Sequence, residues 1–162
     1  MSERDDEKPS GGRLSSTFDP SRAFSLREVR WFELDPFYVF HFLNGWDDGE
    51  AVVVDGCRAP DLVVGFGEDE PAAAQEFPHL HRWRLDLASG AVTEEALDDR
   101  PGDFPRVNDD VAGRRHRFGY VAHAGAVSQT GARFDGVVKH DLEAGTSTVH
   151  RYGDHHVGGE AV

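Results

Sequence analysis

Apolar and polar residues alternate in short runs along most of this chain, and glycine, proline, aspartate and asparagine interrupt the runs. A period of two puts successive side chains on opposite faces of a strand. The pattern predicts strands at Val29–Leu34, Tyr38–Gly45, Ala51–Arg58, His79–Leu87, Phe118–Ala124, Gly136–Leu142 and Ser147–Tyr152. The turn residues between them are drawn from 18 Gly and 8 Pro. One short helix is expected, at Glu68–Glu76. Residues 1–25 are rich in Ser, Asp, Arg and Gly with little periodicity and read as a disordered tail, which leaves 26–162 as the folded part. Strands this short and frequent belong to a sandwich, a barrel or a propeller.

An internal echo favours the propeller. Leu85-Asp86-Leu87-Ala88-Ser89-Gly90 has a counterpart in His140-Asp141-Leu142-Glu143-Ala144-Gly145, with both the Asp and the Gly 55 residues apart. Each copy is a strand ending in Asp-Leu, a tight loop closing on Gly, and a second strand. Glycine suits that loop because it accepts positive φ without strain. A blade cannot cover both of its faces alone, so blades repeat around an axis. The expectation is an all-β, antiparallel, partial β-propeller, too short to close a ring.

Composition narrows the function. The 162 residues are 38% hydrophobic and 29% charged, with a net charge of -13. So acidic a chain is a poor nucleic-acid binder, because phosphate contacts need basic patches. No apolar run approaches the ~20 residues that span a bilayer. The single Cys57 excludes an internal disulfide, and the charged start has no apolar signal segment. The cytoplasm is the expected compartment. Cys57 has no neighbouring base, and neither a Gly-x-Ser-x-Gly run nor a phosphate-binding Gly loop occurs.

The candidate chemistry centres on Tyr38-Val39-Phe40-His41-Phe42-Leu43-Asn44-Gly45-Trp46-Asp47-Asp48. A histidine inside an apolar strand needs a partner, since burying bare imidazole is costly, and a metal is one candidate. A hydrogen-bonded core histidine is the plainer reading of position alone. The run resembles the iron-ligand segment of the carotenoid oxygenase family, which includes lignostilbene dioxygenases and the retinal pigment epithelium isomerase. Phe40, His41, Asn44, Trp46 and Asp47 match it, with Gly45 where Ala is usual. Asp103-Phe104-Pro105-Arg106-Val107-Asn108 resembles the family's Glu-Phe-Pro-Arg-Ile-Asn segment. Gly159-Glu160-Ala161-Val162 resembles the start of another, and the inter-motif stretches look similar from about Val29 onward.

The resemblance implies a non-haem Fe(II) dioxygenase that uses O2 to split a conjugated C=C bond of a carotenoid, apocarotenoid or stilbene. It implies His41 as an iron ligand, with Asp103 and Glu160 as carboxylates that orient ligating imidazoles. It also implies a seven-bladed propeller with four His ligands, of which His41 matches the third. Residues 1–40 contain no histidine where the first two are expected, so the gene model is expected to account for the shortness. One imidazole cannot hold a labile ferrous ion, which sets a second reading beside the first: a non-catalytic propeller fragment or binding module without iron. Unpaired blade edges at each end would favour self-association. His79 and His81 read as blade-surface residues, and His155-His156 as loop.

Overall fold

The computed structural model describes residues 29–61, 76–128 and 131–161, the side chains of 126–132 excepted. Two units separate at Trp31/Phe32, and the architecture below is that of the second. Seven strands form in chain order: β1 (Tyr38–Asp48), β2 (Ala51–Ala59), β3 (His79–Asp86), β4 (Val92–Arg106), β5 (Phe118–Ser128), β6 (Gly131–Asp141) and β7 (Thr146–Arg151). They hydrogen-bond in the order β1-β2-β3-β4-β5-β6-β7, every neighbour antiparallel. One 3-10 turn, Asp109–Val111, follows β4 and is capped by the Asn108 side chain accepting from the Asp110 N–H.

The fifteen residues of β4 serve two sheets in turn. Val92–Ala96 and Pro101 pair with β3, whereas Gly102, Asp103 and Arg106 pair with β5. The chain therefore builds two four-stranded antiparallel blades, with β4 ending the first and beginning the second. The hand-over has local causes. Pro101 has no N–H to offer a ladder, and a Cβ at Gly102 would lie 2.6 Å from the Ala122 carbonyl oxygen. Only glycine lets the strand approach β5 this closely.

The 55-residue echo occupies equivalent hairpins of the two blades, β3–β4 and β6–β7. Asp86 Oδ1 accepts the Ala88 and Ser89 N–H groups at 3.0 and 2.7 Å, and Asp141 Oδ1 accepts the Ala144 N–H at 3.1 Å. Gly90 and Gly145 close the two turns at φ 77° and 63°. Among the described residues one core cluster joins Leu43, Cys57, Leu80 and Val121, with Leu97, Val107 and Leu142 packed on it. It draws on both blades, and Leu43 of β1 lies where any side chain at Gly119 of β5 would collide with it. No helix among the described residues is long and apolar enough to cross a membrane.

The all-β antiparallel expectation is realised, with differences in detail. Residues 29–34 are irregular rather than a strand. β4 is a strand that the alternation did not predict. The expected tail and most of the expected helix lie outside the described residues.

Candidate functional site

His41 sits on β1 where the ladder to β2 is irregular, with register shifts between Val39 and Phe42 and again between Phe42 and Asn44. Such bulges re-aim side chains that a regular strand would send elsewhere. Across from it, Asp103 lies just after the β4 hand-over, next to another register shift between Asp103 and Arg106. Phe104 in that bulge has φ 52°, the left-handed region that a residue with a bulky side chain rarely adopts. The irregular strands meet at His41 Nδ1 and Asp103 Oδ1, 3.1 Å apart. The shorter Asp side chain thus reaches the imidazole.

The bond has a chemical consequence. A ring that donates its Nδ1–H to a carboxylate keeps the Nε2 lone pair free, the form in which imidazole binds a metal. The His41 side chain is 41% exposed, whereas Asp103 is buried on its inner side. Burial pushes the Asp103 carboxyl above its ordinary value, opposed by the Phe104 N–H and by His41. Beneath it, burial and the Asp103 charge push the Cys57 thiol strongly upward, so it is an inert thiol. The Phe104 ring lies 4.8 Å from the imidazole and meets Phe134 edge-on at 5.2 Å. Phe40 flanks the other side at 6.3 Å, and Phe40 and Phe42 are both exposed. The surface around His41 is therefore apolar and aromatic.

The other matched residues of this segment have separate tasks. Asn44 Oδ1 accepts the Gly113 N–H at 2.9 Å; its Nδ2 donates to the Arg114 carbonyl at 3.0 Å and faces His116 Nδ1 at 3.0 Å. Trp46 is buried, with the His116 ring edge-on at 5.2 Å and the Arg82 guanidinium over its face at 5.2 Å. Asp47 is exposed. Gly45 leaves ordinary room for the usual Ala, its nearest neighbour being 3.5 Å from a built Cβ. Glu160 stands exposed at a bend, and no contact joins it to His41 or Asp103.

Of the remaining histidines, His155 and His156 are exposed in a turn, as expected. His81 is not a plain surface residue: its Nδ1 lies 2.9 Å from a Glu94 oxygen that Arg58 also approaches at 2.8 Å. Sequence reasoning missed a buried polar group formed by Asp55, Arg82 and His116. Asp55 has no exposed surface, and His116 Nε2 lies 3.8 Å from its Oδ2. The signal was available, since a lone Asp inside Ala51-Val52-Val53-Val54-Asp55-Gly56-Cys57 demands a partner as much as His41 does. Among the described residues no three or more His, Cys, Asp or Glu converge to hold a metal ion. His41 fits one coordination position, with its other nitrogen already engaged.

Similarity to known proteins covers most of the chain. The family model described as retinal pigment epithelial membrane protein matches residues 19–162. A carotenoid cleavage oxygenase of Mycobacterium tuberculosis is 37% identical over 130 residues, covering 75% of this chain and 25% of that protein. A carotenoid 9,10(9',10')-cleavage dioxygenase of Crocus sativus is 30% identical over 150 residues, covering 85% of this chain and 27% of that protein. The crystal structure of cobalt-substituted Synechocystis ACO superposes with a TM-score of 0.71 at 25% identity, covering 82% of this chain and 28% of that one. The chain thus spans about a quarter of the length of the relatives it matches.

Proposed function

The chain belongs to the retinal pigment epithelial membrane protein family, and we propose that it is the two-blade part of an O2-dependent oxygenase that cleaves a conjugated C=C bond, contributing His41 to a ferrous site. The observation that carries this reading is the 3.1 Å bond from His41 to Asp103 across neighbouring blades. The substrate class follows from the relatives' names, carotenoids and apocarotenoids, and from the Phe40 and Phe104 rings beside the imidazole, with Phe42 also exposed on β1. Stilbene-type substrates share the same flat conjugated chemistry.

Ferrous iron, when bound, supplies open positions for O2 and the redox capacity to turn one C=C bond and one O2 into two carbonyls. This chain's residues do the holding. Asp103 accepts a hydrogen bond from the Nδ1–H and fixes the ring plane, so that Nε2 presents a lone pair. Phe104 and Phe134 close the side of that hydrogen bond, which raises its strength by excluding water. Phe40 and Phe42 offer apolar surface that a polyene can lie against without desolvating polar groups. In this reading Glu160 orients another imidazole, one supplied by another part of the propeller.

Anaerobic titration of the 15N-labelled 162-residue protein with Co(II), a paramagnetic stand-in for Fe(II), tests the ligand assignment. The expected result is weak binding that broadens the His41 Nε2 signal first and is abolished in His41→Ala. Asp103→Ala should weaken it about 10–100-fold. Broadening centred on His155-His156, or metal binding indifferent to His41→Ala, would overturn the assignment. The reaction is tested by product analysis of apocarotenals and stilbenes with a propeller-length protein carrying this segment. Failure to yield paired carbonyls from either class would favour the reading without catalysis.

A further inference from the structure

Asn44 lies three residues after His41 on β1, yet its side chain serves the second blade. Every partner of its amide lies in the segment between β4 and β5: Gly113 N–H on Oδ1, and the Arg114 carbonyl, the more distant Val111 carbonyl at 3.4 Å and His116 Nδ1 around Nδ2. β1 is therefore joined to the second blade at two points by polar bonds, His41 to Asp103 and Asn44 to this segment. One point lies inside and the other at the end of the stretch in which the β1–β2 ladder loses register. That ladder alone does not fix where His41 is aimed, because bulged residues are released from regular pairing.

The segment that Asn44 grips is itself seated. His116 is buried, with Nδ1 3.0 Å from Asn44 Nδ2 and Nε2 facing Asp55 at 3.8 Å. Asp55 is in turn held by both arms of Arg82. Asn44, His116, Asp55 and Arg82 thus lie in sequence from β1 through the second blade's entry segment back into β2 and β3, hydrogen-bonded at both ends, with His116 Nε2 making no hydrogen bond where it faces Asp55.

We propose that Asn44 is a positioning residue for His41: by tying β1 to the 111–116 segment it holds the imidazole at the distance from β4 where Nδ1–H reaches Asp103, and so selects the tautomer with a free Nε2. As a statement about metal chemistry this rests on the ligand reading of His41; as a statement about the tautomer it stands without metal.

The test uses the full 162-residue chain, 15N-labelled and metal-free, at a pH where the rings are neutral. Long-range imidazole 15N–1H spectra report which nitrogen carries the proton. Wild type should show His41 protonated at Nδ1, and Asn44→Ala should lose that signature while remaining folded. A destabilised control, Val138→Ala in the second blade's core, should keep it, which separates positioning from a general loss of stability. Should Asn44→Ala fail to fold, Asn44→Asp retains the acceptor for Gly113 and removes both donors, with the same loss expected. Amide exchange of wild-type Gly113 needs no variant, and its N–H should be protected. A folded Asn44 variant that keeps His41 protonated at Nδ1, or an unprotected Gly113 amide, would overturn the proposal. Co(II) binding in the same samples is scored separately. Absence of broadening at His41 would sink the ligand reading alone, whereas an unchanged tautomer would sink the role of Asn44 even where Co(II) binds.

Discussion

The Asp55 carboxylate, with no exposed surface, lies in the fork of the Arg82 guanidinium at 2.7 and 2.8 Å. The two partners are unequal. Arg82 keeps about a quarter of its side chain exposed and covers the face of Trp46, whereas Asp55 has no other cation within hydrogen-bond distance. Removing Arg82 strands a buried charge, at a cost of about 3–5 kcal/mol. Arg82→Ala should therefore destabilise more than Asp55→Asn, in which the guanidinium can still turn to water. Urea denaturation of both variants decides it, and the reverse order would contradict this account of the pair.

Acid should unfold the protein in two stages. Burial holds His116 and His140 below the ordinary 6.5, with Arg82 and Arg100 pushing the same way and Asp55 and Asp98 pulling back. Burial also lowers His81, against the pull of Glu94. Below 6.5 the unfolded chain takes up protons that these folded rings refuse, so stability is lost as pH falls through that window. Asp98 and Asp135 lie below the ordinary 3.8, and Asp141, held by Arg117, lies at about 2; their contribution is present above 3.8 and lost beneath it. Asp103, raised by burial, works in the opposite sense as pH rises above 3.8. Thermal melts from neutral to acid pH should show both declines, and His140→Gln should shrink the first. A melting temperature flat between neutral pH and the carboxylate range would exclude the histidine stage.

The two echoing turns should respond alike. Gly90 and Gly145 both have positive φ and open space around a built Cβ, so alanine meets backbone strain and nothing else. Each Gly→Ala change should cost about 1–2 kcal/mol. Gly136→Ala differs in kind, because its Cβ would collide with the His150 carbonyl oxygen in the β6–β7 ladder. It should destabilise more than either turn variant in the same denaturation series. Equal costs for all three would mean that the ladder can open at little expense.

Cys57 should be silent to thiol reagents in the native state. It is fully buried, and both burial and the neighbouring Asp103 oppose its ionisation. Labelling by a disulfide reagent should follow global unfolding and accelerate with urea. Rapid labelling of the folded protein would show that the core opens locally beneath His41.

The strands were legible where one face is apolar and the other polar, which is why β1, β2, β3, β5, β6 and β7 match the alternation to within a few residues except at one end of β5 and of β6. The echo called for a strand after Gly90, where β4 begins, but its extent was hidden from the alternation because Thr93–Ala96 faces solvent with Glu94 and Glu95, and because Pro101, Gly102 and Pro105 read as turn residues. Asp103 stood out only through its resemblance to a family segment. Its contact with His41 depends on a bulge at Phe104, a residue whose chemistry does not announce a left-handed backbone. Asn44 was visible as a motif residue, but its partners lie 67 to 72 residues away, beyond any local pattern.

The single strand shared by both blades has a mechanical meaning. His41 is carried by one blade and Asp103 by the other, and the glycine at the hand-over is the pivot between them. Side-chain bulk added at Gly102 would press on the Ala122 backbone and tilt one blade against the other like a lever. The longest movement would fall at the ends of long arms, but the most sensitive gauge of it is the 3.1 Å between an imidazole and a carboxylate only one residue from the fulcrum.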